Sequence, residues 1–144
     1  MRKMRTATVI ALTLAAALIL LLSLTVLPKR LAFSGGDSYC FYLGDTSKNC
    51  RVVDADRETA ALKRLTLSGV CGESATFSTL DVQAFIQSVG GEILFTEEMS
   101  DSVNYYCSAR LPYSVTLYGQ TVNLHVCVKD GGVTVASPII FGGY

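Results

Sequence analysis

A single histidine, His125, serves the whole chain of 144 residues, and no acidic residue precedes Asp37. There is no C-x-x-C pair, no G-x-S-x-G turn, and no P-loop lysine after the glycines of SGVCGES (68–74). Each absence removes a class of function. One histidine cannot build a His-rich metal site within one subunit. Without C-x-x-C the zinc-ribbon and dithiol redox readings fail. Without G-x-S-x-G there is no nucleophile elbow, and a Ser-His-Asp triad would have to use His125. Without the P-loop lysine the glycines of 68–74 read as an α-to-β connection. No internal repeat or linker is visible either, so the part after the first thirty residues reads as one domain.

The missing acids at the N-terminus frame a long apolar run. From Ala7 to Leu27 there are 21 residues without a charge, and their only polar members are Thr8, Thr13, Ser23 and Thr25. As a helix this run is about 31 Å long, matching a hydrocarbon core of about 30 Å. It is apolar on every side, unlike the amphipathic helix of a soluble domain. Residues 1–30 therefore read as a signal-anchor that meets the membrane through residues 7–27. A cleaved signal fits less well. The run is long for a signal, and Pro28, Lys29 and Arg30 follow it instead of small residues. The alternative is a secreted protein released at the triplet Ala32-Phe33-Ser34. Arg2, Lys3 and Arg5 before the span outweigh Lys29 and Arg30 after it, which puts the C-terminal domain outside the cytoplasm. A pilin-like stalk would need a Gly just before the apolar helix and a Glu a few residues inside it, and neither is present.

Residues 35–144 then form an extracytoplasmic α+β domain large enough to fold without metal or cofactor. Its seven basic and twelve acidic residues give a net charge of 7 − 12 = −5. Nucleic acid is the wrong partner for such a surface. The five cysteines, Cys40, Cys50, Cys71, Cys107 and Cys127, are odd in number, so at least one has no partner within the chain. Their spacing does not choose between free thiols and bridges.

Along the domain, SYCFYL (38–43) and CRVV (50–53) read as strands around a turn at 44–49. Asp54 or Asp56 is placed to cap a helix reaching Leu67, with Ala61, Leu62 and Leu65 inward. ESATF (73–77) reads as a strand. Ser78 and Asp81 have capping-box spacing. Val82, Phe85, Ile86 and Val89 then form an apolar stripe, which Gly90-Gly91 ends. After that the period becomes two, giving a meander of about five strands. Gly119-Gln120 and Asp130-Gly131 are its tight turns. The sum is a mainly antiparallel sheet with two helices on one face. The tail PIIFGGY (138–144) is expected along an edge or over the open face.

Candidate sites are few. His125 and Cys127 point the same way on one strand, opposite the apolar row Val122, Leu124, Val126 and Val128. That places them on a half-exposed face, where a Cys-His enzyme is the weaker reading because no third group orients the pair. The acidic cluster Glu97, Glu98 and Asp101, between two strands, suits a divalent cation or a basic partner, or simply water. Tyrosines 39, 42, 105, 106, 113 and 118 pack sheets well. Exposed, they would make a binding surface. Glu97, Glu98, Asp101, Tyr105 and Tyr106 are therefore the expected contacts of a non-catalytic module. Its partner would be another envelope protein or polymer, with no cofactor and no metal.

The stretches GGEILFTEEM (90–99), VNYYCSARL (103–111) and TVNLHVCVKDGGVTVASPIIFGGY (121–144) resemble the C-terminal part of the YwmB family of spore-forming bacteria. The resemblance implies an exported protein with a TATA-box-binding-protein-like fold, a curved antiparallel sheet with helices on one side. It covers about half the chain and brings no catalytic motif. Members of that family are longer, and the element order above fits one such unit.

Overall fold

The computed structural model describes residues 2–26, 29–44 and 49–141. Pro28 and the turn residues 45–48 lie outside the described residues. The chain divides into two compact units, Met1–Arg30 and Leu31–Tyr144.

The first unit is helix α1, Arg2–Val26. Its stretch Thr6–Thr25 is long and apolar enough to cross a membrane. Three of its hydroxyls are satisfied within the helix. Thr13 donates to the carbonyl of Val9, Ser23 to that of Ile19, and Thr25 to those of Leu21 and Leu22. Such back-bonding removes the cost of carrying hydroxyls into an apolar medium.

The second unit is α+β and built on a seven-stranded antiparallel sheet. Its elements are β1 (Ser38–Leu43), β2 (Arg51–Asp56), α2 (Ala60–Thr66), β3 (Val70–Phe77), α3 (Val82–Ser88), β4 (Glu92–Glu98), β5 (Ser102–Ser108), β6 (Val115–Leu117), β7 (Gln120–Val122), β8 (Leu124–Lys129) and β9 (Gly132–Ser137). The sheet order is β2-β1-β3-β9-β8-β5-β4, and β6 with β7 makes a separate two-stranded ribbon. Alternate residues of the strands turn one face inward: Tyr39, Phe41, Ala75, Phe77, Leu124, Val126, Val133 and Val135. Ala60 and Leu67 around α2, and Phe85 and Ile86 of α3, join that same cluster.

Helix α3 follows its sequence. Val82, Phe85, Ile86 and Val89 all face the core. Its end is a Schellman motif: the Gly91 N–H reaches the Ile86 carbonyl and the Gly90 N–H that of Gln87. Gly90 sits at φ +64°, where a side chain would be strained. Its start differs from the capping box. Asp81 itself is the N-cap and accepts from the Ala84 N–H. Ser78 instead gives its N–H and its hydroxyl to Asp37.

Helix α2 turns the other way from expectation. Ala60 and Arg64 are its buried residues, while Leu62 is 66% and Leu65 39% exposed. The reason is electrostatic. Glu73 on β3 is fully buried, and the helix rotates Arg64 toward it. Strand β3 also starts at Val70, so most of SGVCGES is strand and not connection. The ribbon turn is Tyr118-Gly119, one residue earlier than expected, with Leu117 opposite Gln120. The expected long strand from 121 to 129 is split at Asn123. Its side-chain amide both accepts from the N–H and donates to the carbonyl of Ala109, replacing a neighbouring strand there.

Candidate functional site

Three strands side by side, β4, β5 and β8, bring one row of rings together on the sheet face away from the helices' cluster. The register sets Phe95 beside Tyr106 and Tyr106 beside His125. Phe95 stacks on Tyr106 at 4.6 Å between centroids and Tyr106 on His125 at 4.5 Å. Tyr118, from the ribbon turn, meets Phe95 edge-on at 5.7 Å. The Tyr106 hydroxyl donates to Glu97 Oε2 at 3.0 Å. A groove of about 480 Å³ opens between this stack, the ribbon and the C-terminal tail at Ile139 and Ile140, within the size range of small-ligand sites.

His125 and Cys127 are not on a half-exposed face. Each is only 2% exposed. The tail covers the histidine: the Ile140 N–H donates to His125 Nδ1 at 3.2 Å, and Phe141 packs edge-on against Tyr42 at 4.9 Å. With Nδ1 accepting, Nε2 carries the proton and donates to Asn104 Oδ1 at 3.0 Å. Burial lowers the imidazole to about 4, so it is neutral at physiological pH and a poor base. Burial also raises the Cys127 thiol, which stays protonated. Asn104 Nδ2, buried beside this pair, has no hydrogen-bond partner among the described residues. No group of three or more His, Cys, Asp or Glu among the described residues is arranged to hold a metal ion. All five cysteines carry free thiols.

Of the five expected contacts, the structure unites two, Glu97 and Tyr106. Glu98 pairs with Val103 one register position on, hence on the opposite face. Asp101 binds Lys129 at 3.2 Å, a contact that lowers its carboxyl. Tyr105 packs against the core cluster. Sequence reasoning did not single out Phe95 or Asn104. The bulge between Ile93 and Phe95 sends Phe95 to the face opposite Ile93.

A second polar cluster lies on the core side of the sheet. Glu73 Oε1 accepts from the N–H groups of Ala32 and Phe33 at 2.9 and 3.4 Å. Its Oε2 lies 3.9 Å from Arg64 Nε, and Arg64 Nη2 donates to the Tyr113 hydroxyl at 2.9 Å. Desolvation pushes the Glu73 carboxyl up to about 7, against the pull of those two N–H groups and Arg64. The cluster ties together the start of the domain, α2, β3 and the loop before β6. It is enclosed, and its groups face one another instead of a groove.

Comparison with protein families, with curated proteins and with solved structures finds no match. The site must therefore be judged on its own geometry.

Proposed function

We propose that the protein is a single-pass, membrane-anchored, non-catalytic binding module of the cell envelope, with residues 31–144 outside the cytoplasm. Its partner docks at the groove walled by Phe95, Glu97 and Tyr118. One observation carries the reading. The one histidine beside this groove is buried, held neutral and hydrogen-bonded at both ring nitrogens, while Tyr118 is left 84% exposed at the rim. The anchor reading is supported by the apolar stretch Thr6–Thr25 and its internally bonded hydroxyls. The outward orientation is supported by the basic residues before the span and by the resemblance to exported YwmB proteins. The two short helices are read as covering one face of the sheet, supported by their shared apolar cluster. That is the arrangement the resemblance implies.

The test is photo-crosslinking in cells, with a photoreactive residue at position 118 and, as control, at position 62 on α2. Adducts specific to 118 are expected. Equal adducts from both positions would remove the groove as the contact. Protease added to intact cells should digest the domain, and the mature mass in membrane and medium fractions separates an anchored from a secreted form.

A further inference from the structure

The groove's chemistry points to a class of ligand. Among the described residues its lining contains no Lys or Arg, and its one acidic side chain is Glu97. Anionic ligands therefore find no counter-charge there, on a domain already at −5 (seven basic, twelve acidic residues). Glu97 gives one oxygen to Tyr106. A carboxylate accepts up to about four hydrogen bonds, so capacity for a donor remains. Phe95 is fixed by its stack on Tyr106. Tyr118 stands edge-on to it, at φ 50°. That last feature is unusual. The first position of a turn with two positive φ values normally goes to Asn, Asp or Gly. An aromatic there costs about 1 kcal/mol, and such strain collects where a side chain is needed. Two ring walls and a carboxylate attract a cation, and the aliphatic side chains of Ile139 and Ile140 suit its carrier.

We propose that this groove binds an ammonium group on a short aliphatic chain, with Glu97 as counter-ion and Phe95 and Tyr118 as ring walls. The proposal rests on the binding-module reading and adds the chemistry of what is bound. The test uses the full chain in nanodiscs of phosphatidylglycerol, a lipid without an amine, and follows ¹³C-labelled tyrosine rings by NMR. Titration with n-butylammonium should shift Tyr118 and Tyr106 with a Kd on the order of 1 mM. n-Butanol, butyrate and glucose should bind at least about tenfold more weakly. Glu97→Gln should weaken butylammonium about tenfold. Tyr118→Asn, which suits the turn and so keeps the fold, should weaken it about threefold or more. A capped lysine peptide binding better than butylammonium assigns the ammonium to a protein side chain, and the reverse order assigns it to a free amine. Equal affinity for butanol or glucose, or full affinity in Glu97→Gln, would overturn the proposal. Adducts from position 118 in cells would in that case still leave a binding module, with a different ligand.

Discussion

Glu73 and His125 sit on opposite faces of one sheet, and their titrations should pull stability in opposite directions. Glu73 moves from 4.5 to about 7 on folding. Between those values the folded chain holds more protons than the unfolded one, so stability falls as pH rises. His125 moves from 6.5 down to about 4. Between those values the unfolded chain holds more protons, so stability rises with pH. Each group is almost completely buried, and each displacement corresponds to about 3 kcal/mol. From pH 4.5 to 6.5 the two slopes oppose, and the wild-type chain should change by no more than about 1 kcal/mol. Glu73→Gln should uncover the histidine, with stability falling by about 3 kcal/mol as pH drops from 6.5 to 4. That variant also leaves Arg64 without its counter-charge. The resulting loss should appear only above about pH 7, where Glu73 is ionised; below it the wild-type carboxyl is itself neutral, and the slope reports the histidine. His125→Gln should uncover the carboxyl, with stability rising by about 3 kcal/mol as pH drops from 7 to 4.5. The surface carboxyls Asp37, Asp56 and Asp101 are held below the ordinary range, so their loss comes at lower pH. The assay is urea unfolding of the full chain in neutral detergent, read by tyrosine near-ultraviolet circular dichroism at constant m-value. Either single variant reproducing the flat wild-type profile would refute the assignment of these two groups.

Three shorter predictions follow from the same contacts. Tyr113→Phe removes the hydroxyl oxygen that accepts a hydrogen bond from Arg64 Nη2, and should cost about 1–3 kcal/mol in urea unfolding. Asp81→Ala should cost about 1 kcal/mol as a lost N-cap; in an Asp37→Ala background it should keep that cost, whereas Ser78→Ala should become nearly neutral, because Ser78 serves Asp37 and not the helix. Maleimide should leave Cys107 and Cys127 unlabelled at pH 7.5 until urea unfolds the domain. Both are buried, and burial pushes Cys107 up to about 11.

What the sequence made legible was local. The stripe Val82, Phe85, Ile86 and Val89 needs only a period of 3.6 and a neighbouring sheet, and it lies against the core. The element order through α3 follows from such periods and from turn residues. What stayed hidden came from pairs distant in the chain. The face of α2 is decided by Glu73, nine residues on from Arg64 and on another element. A signal was present: Glu73 shares a strand parity with Ala75 and Phe77, and a charge inside an apolar row demands a partner. The burial of His125 could not be read from its strand, because Ile140 of the tail and the stacked ring of Tyr106 supply the cover. The pairing of Phe95 with Tyr106 needed a bulge that alternation alone does not announce.

These misses bear on function. A half-exposed His-Cys pair is a place to look for chemistry; a buried pair with saturated nitrogens is a packing solution. Strand β4 is one of the two edge strands of the seven-stranded sheet. Phe95 and Glu97 belong to that edge strand, and the ribbon carrying Tyr118 leans against it. The face that lost its chemistry to the tail therefore gained a wall, since Ile139 and Ile140 close the groove that the edge strand opens. Removing the tail beyond Ser137 should then do two things together: expose His125 to water, raising its pKa toward 6.5, and abolish the groove. A truncated chain that keeps a buried, low-pKa histidine would show that the cover lies elsewhere, and the groove would have to be redrawn without it.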